Sequence, residues 1–185
     1  MSKKIILIGY MGSGKSVIGK FLAQKINLPF IDLDLFIEEK EQKTISEIFK
    51  LNGEIYFRKI ETMYLNQLLD SKKDFVLSVG GGTPCFGTNI QQINKASEFV
   101  FYLQLNAQSL TKRLTTQKGK RPLLTGLQDD KILEDFINKH LFDRNPYYRQ
   151  AHIILPSDGL SITEIVNKII TFLPSDLFKK KNVIE

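Results

Sequence analysis

Residues 9–16 read GYMGSGKS and fit G-x-x-x-x-G-K-[ST], the pattern of a phosphate-binding P-loop. The pattern constrains the fold because it works in only one place, between a buried strand and the first turn of a helix. Both flanks are present. Ile5, Ile6, Leu7 and Ile8 make a short unbroken apolar run, as in a parallel strand covered on both faces. After the loop, Val17, Ile18, Phe21 and Leu22 recur at helical spacing. Glycines let the backbone curl until successive N–H groups point at phosphate oxygens, and the helix N-terminus adds partial positive charge. The backbone at Gly12, Ser13 and Gly14 would form the cradle. Lys15 would reach the terminal phosphates, and the Ser16 hydroxyl would ligate Mg²⁺.

Further strand and helix patterns follow in alternation. Residues 29–31 read as a second strand, running into Asp32 and Asp34, which, two apart in an extended chain, would point the same way. Residues 35–39 are helical in period, and Thr44 with Glu47 makes a capping box that opens the next helix. Asn52 and Gly53 break that helix before a long amphipathic segment over 54–69 that carries Arg58 and Glu61. A third apolar strand at 75–79 runs straight into Gly80, Gly81 and Gly82. Residues 99–103 read as the fourth strand, 107–114 as a helix, 152–155 as the fifth strand and 162–172 as the closing helix. A long helix runs to about residue 143, and residues 144–149 continue or restart it. Alternation of this kind implies an α/β fold in three layers, a five-stranded parallel sheet with helices on both faces. In such sheets ligands bind at the carboxyl ends of the strands, where the P-loop, the Asp pair and the triple glycine all fall.

At 185 residues, 42% hydrophobic and 25% charged, the chain suits one soluble domain, expected over 1–173 with a basic tail at 174–185. No apolar run reaches membrane-spanning length, and the N-terminus lacks the form of a signal peptide. The single cysteine, Cys85, excludes an internal disulfide, which suits a reducing cytoplasm. A nucleophilic Cys85 is weakly supported, since neither histidine is near it in sequence. The net charge of +6 suits an anionic partner. Nucleic acid is disfavoured, because the basic residues are scattered and no nucleic-acid-binding motif accompanies them. The polar stretch 115–127 contains Arg121 and reads as a lid.

Taken in order, these motifs resemble the shikimate kinase family, whose architecture is the P-loop NTPase, nucleoside monophosphate kinase-like fold. The resemblance rests on the P-loop, Phe30-x-Asp32-x-Asp34, Phe57-Arg58-x-x-Glu61, the triple glycine, Arg121-Pro122-Leu123-Leu124 and Arg144-x-Pro146-x-Tyr148. It implies transfer of the γ-phosphate of ATP to the 3-hydroxyl of shikimate, with Mg²⁺ as cofactor. Asp34 would orient the acceptor hydroxyl and take its proton, and Asp32 would hold Mg²⁺-bound water. An ordinary reading of Asp34 is a helix N-cap. Arg58 and Arg144 would pair with the shikimate carboxylate, since guanidinium forks match a planar carboxylate. From helix pattern alone, Arg58 and Glu61 are a surface ion pair; under the resemblance Glu61 also holds Arg58 in place. Gly81 would contact substrate, with Gly80 and Gly82 beside it. Arg121 would close over the phosphates, and Arg113 would stack on adenine opposite the loop at 156–159.

Val17 stands where the family commonly has Thr, so one phosphate contact is expected to be lost. Gln42 replaces a frequent Gly, a matter of local conformation. ATP and shikimate are the expected partners, without nucleic acid or membrane, and the chain is expected to act as a cytoplasmic monomer. The alternative is a related small-molecule kinase such as gluconate kinase, against which the Phe-Arg-x-x-Glu pattern and the triple glycine argue. A nucleic-acid-coupled NTPase would need an acidic residue ending the third or fourth strand, and neither has one.

Overall fold

The computed structural model describes residues 3–116 and 129–177. Arg121 and most of the expected lid lie outside them. Five strands, β1 (Lys4–Ile8), β2 (Phe30–Asp32), β3 (Phe75–Ser78), β4 (Phe99–Gln104) and β5 (Ile153–Pro156), pair in the order β2-β3-β1-β4-β5. Every pairing is parallel. Parallel neighbours need crossovers, and the helices supply them: α1 (Lys15–Ile26), α2 (Leu33–Glu41), α3 (Ile45–Leu69), α4 (Asn89–Ala96), α5 (Ala107–Thr115), α6 (Asp130–Tyr148) and α7 (Ile162–Thr171).

Strand side chains alternate between faces, and the core divides accordingly. Ile6, Ile8, Leu77, Val100 and Tyr102 pack toward α3, α4, α5 and α6. Ile5, Leu7, Val76, Phe101 and Leu103 pack toward α1 and α7. All five residues of β1 are buried, which is why this strand reads as an unbroken apolar run. Leu177, within the stretch expected as a tail, is buried against the α1–α7 face.

Several expected boundaries shift. Strand β2 is Phe30–Asp32, and α2 begins at once at Leu33. Its N-cap is Asp32, whose side chain accepts from the Asp34 N–H at 3.1 Å. The two carboxylates therefore do not share one extended segment, as their spacing suggests; Asp34 sits in the first helical turn. The Thr44–Glu47 capping box forms, and α3 runs through Gly53 with one non-helical residue there (φ 80°, ψ 173°). Helix α6 is continuous to Tyr148 although Pro146 lies inside it. Helix α4 was not apparent in the sequence: only Ile90 and Ile93 of its eight residues mark a buried face by hydrophobicity.

Candidate active site

The P-loop joins β1 to α1 at the centre of the sheet, where neighbouring strands lead off in opposite directions. Gly9, Gly12 and Gly14 all take positive φ, closing the loop over the helix N-terminus. The Lys15 ammonium donates to the carbonyls of Gly9 (2.8 Å) and Tyr10 (3.1 Å). Ser16 Oγ donates to Asp32 Oδ2 at 2.6 Å, across the gap between β1 and β2. Val17 is 55% exposed at the rim. On the outer side of the loop, Arg113 of α5 donates to the Ser13 carbonyl at 3.3 Å and lies near that of Gly12.

A cleft of about 220 Å³ opens beside this loop. Gly12, Gly14, Lys15, Ser16 and Val17 line one side, and Asp32, Asp34, Gly80 and Gly81 line the other. Asp34 is held among like charges. Burial, then the carboxylates of Asp32 and Glu61, push its pKa up to about 6, against the opposing pull of Lys15. A carboxyl poised this way accepts a proton more readily than a free aspartate.

Beside the triple glycine stands the α3 arginine, its guanidinium against Gly82. Arg58 Nη1 donates to Glu61 Oε2 at 2.7 Å, and Arg58 Nε lies 3.5 Å from Glu54. Glu61 is 1% exposed, so this is no surface pair. Its other oxygen accepts from Thr83 Oγ1 at 2.6 Å, which fixes the carboxylate from both ends. A Cβ at Gly82 would lie 2.6 Å from Arg58 Nη2, so a larger residue there would displace the guanidinium. Gly81 backs directly onto the P-loop, since a Cβ would stand 3.0 Å from the Met11 N–H. Its carbonyl accepts from the buried Tyr148 hydroxyl at 2.5 Å. Arg144 reaches in from α6, with its guanidinium carbon 5.4 Å from the Tyr10 ring centroid. Arg58 and Arg144 both act on Cys85, whose thiol burial nonetheless pushes up to about 11. A thiol held protonated is a poor nucleophile.

Lys15, Ser16, Asp32, Asp34, Gly80 and Gly81 thus come together around one cleft, while Arg58 and Arg144 stand outside its lining and share Cys85 as a neighbour. Tyr148 was part of a quoted motif but had no role assigned, Tyr10 occupies a variable position of the P-loop pattern, and Thr83 had no sequence signal beyond following the triple glycine.

The family profile for shikimate kinase matches residues 11–174. The chain belongs to the shikimate kinase family. A shikimate kinase of Flavobacterium psychrophilum is 46% identical over 167 residues, covering 90% of this chain and 96% of that protein. The crystal structure of a shikimate kinase from Bacteroides thetaiotaomicron superposes with a TM-score of 0.85 at 38% identity, covering 92% of this chain and 97% of that one. A shikimate kinase from Acinetobacter baumannii, solved in complex with shikimate, gives 0.82 at 32% identity and 97% coverage of both.

The oxygens of Ser16 and Asp32 suit Mg²⁺, a hard cation that prefers oxygen ligands. Among the described residues no group of three or more His, Cys, Asp or Glu side chains could hold a metal.

Proposed function

We propose that the chain transfers the γ-phosphate of ATP to the 3-hydroxyl of shikimate, using the P-loop cleft as donor site and the Asp34–Arg58–Arg144 end as acceptor site. The observation that carries this reading is the shared cleft. Lys15 and Ser16 stand on one side and Asp34 on the other, so donor phosphate and acceptor hydroxyl meet between them. Membership of the family supplies the substrates.

Phosphoryl transfer passes through a loose transition state, so positioning and charge count for more than strong base catalysis. Backbone at Gly12, Ser13 and Gly14 holds the phosphates, and Lys15 exchanges its carbonyl contacts for the terminal phosphate oxygens. Asp34 accepts the hydrogen bond of the acceptor hydroxyl, orients it in line and receives its proton. Arg58, braced by Glu61, and Arg144 bind the shikimate carboxylate, and Gly81 lines the ring. Ser16 and Asp32 would hold Mg²⁺, Asp32 through water. Mg²⁺, when bound, offsets charge building on the phosphate oxygens. Arg113 is positioned to flank the nucleotide from α5, and Arg121 is assigned from sequence alone to the lid over the phosphates.

ATP as donor and the free thiol Cys85 support a cytoplasmic setting. A two-substrate cleft built from one chain supports a monomer. A coupled ADP-release assay with ATP, Mg²⁺ and either shikimate or gluconate tests the reading. Turnover with shikimate alone is expected; phosphorylation of gluconate without shikimate would overturn it.

A further inference from the structure

Tyr10 lies within the P-loop sequence, yet its side chain is not a wall of the phosphate cleft. It is buried on the α3–α6 side of the sheet. Its hydroxyl shares a 3.0 Å hydrogen bond with His140 Nδ1, and Arg144 sits over its ring at 5.4 Å. His140 and Arg144 are one turn apart on α6, so a single aromatic side chain engages both. His140 is braced in turn by the Phe136 ring, 4.1 Å away between centroids.

The two acceptor arginines are held differently. Arg58 pairs with two carboxylates, one of them buried. Among the described residues no carboxylate lies within ion-pair distance of Arg144. Its neighbours are the face of Tyr10 and the neutral, buried Tyr148 hydroxyl. The difference matters for a residue that must bind an anion. A carboxylate partner would occupy the guanidinium fork and offset its charge, whereas an aromatic face holds the planar group through its π-surface and leaves N–H edges free. Tyr10 also touches the donor side, because its carbonyl accepts from Lys15 Nζ.

We propose that Tyr10 is the positioning residue for Arg144: its ring orients the guanidinium toward the substrate carboxylate without neutralising it, and the bond to His140 locks the ring. This rests on the reading of Arg144 as a carboxylate contact. Tyr10, whose backbone is part of the phosphate loop, thereby ties that loop to the acceptor end through one side chain.

The test uses Tyr10→Leu, Tyr10→Phe, Arg144→Lys and the double variant Tyr10→Leu/Arg144→Lys, with shikimate and its methyl ester as acceptors. Arg144→Lys must raise the shikimate KM; if it does not, the carboxylate contact itself fails, and the proposal with it. Given that rise, Tyr10→Leu should raise the shikimate KM by roughly three- to tenfold, with a smaller change in kcat and in the KM for ATP. Tyr10→Phe keeps the ring and should stay within about twofold of the parent. In the double variant the two effects should not add, because both act through one guanidinium. The methyl ester, which lacks the charge, should be insensitive to Tyr10→Leu. Additive losses, an equal loss for the ester, or a change confined to the KM for ATP would overturn the proposal. Should Tyr10→Leu not fold, the Arg144 Nε–H proton of the intact protein, assigned by its disappearance in Arg144→Lys, decides: an upfield ring-current shift is expected, and an unshifted resonance overturns it.

Discussion

Asp34 shows most directly how a functional residue opposes stability. Its pKa is raised from 3.8 to about 6, mainly by burial, so the folded protein binds this proton more tightly than the unfolded chain does. Between those values the native state is the more protonated, and stability must fall as pH rises. The favourable contribution is complete below about pH 4 and gone above about pH 7, a loss of about 3 kcal/mol. Asp34→Asn should abolish transfer and, in metal-free protein, raise the melting temperature near pH 7.5 by about 6–12 °C, with no gain near pH 4. Thermal melts in chelator at the two pH values check this, and equal gains at both would refute it. Lys15→Met should lower kcat by about a hundredfold or more, since a preorganised cation facing the transferring phosphate is lost. Steady-state kinetics with shikimate test that. Arg58→Lys should weaken shikimate by raising KM, because a point charge replaces neither the fork nor its 2.7 Å bond to Glu61. An unchanged KM would count against the contact.

Secondary-structure elements were legible where a local rule dominates. Thr44–Glu47 and Ser161–Glu164 form full capping boxes, each satisfying helix N-terminal donors by residues three apart. The break at Gly53 was also legible, and its φ of 80° with ψ of 173° belongs to a region open essentially to glycine alone. Nothing lies within 4 Å of a Cβ placed there, so the cost of a side chain is conformational and not steric. Gly53→Ala should therefore destabilise by about 1–3 kcal/mol in denaturant unfolding. Gln42 presents the reverse case, a non-glycine C-cap of α2 at φ 53°, partly compensated by its side-chain bond to the Glu39 carbonyl. Pro146 shows a local rule overridden. The bond it forfeits is to the Phe142 carbonyl, and Phe142 is 82% exposed, so packing of Leu133, Ile137, Leu141 and Tyr148 carries α6 through.

For the whole molecule, the two halves of the cleft come from elements far apart in sequence, so ligand binding should tighten the entire fold. With ADP and Mg²⁺ at a hundred times Kd, linkage adds about 2.7 kcal/mol, or roughly 5–11 °C in melting temperature. Differential scanning fluorimetry should show this shift, and Lys15→Met should reduce it. Alternating apolar runs and helical periods already specified a parallel sheet covered on both faces. The donor loop, the Asp pair, the arginines and the triple glycine were each identifiable because their chemistry is written in short motifs. Their relative placement was not. Asp32 turned out to cap α2, which removed the assumption that the two carboxylates project from one extended strand. Glu61 became a buried brace once Thr83, 22 residues away, closed on its second oxygen. Tyr10 and His140 are 130 residues apart, and no local pattern couples them.

The sequence alone determined the order of the strands and of every helix but α4, the P-loop and the types of residue at the carboxyl ends of the strands, because side-chain periodicity and backbone propensity act over a few residues. Tertiary structure decided which carboxylate caps α2, how each arginine is held, and that the residue after Gly9 reaches across to α6. Those outcomes depend on the order of strands in the sheet and on how α3 and α6 pack against it, and that packing is set by the whole core at once.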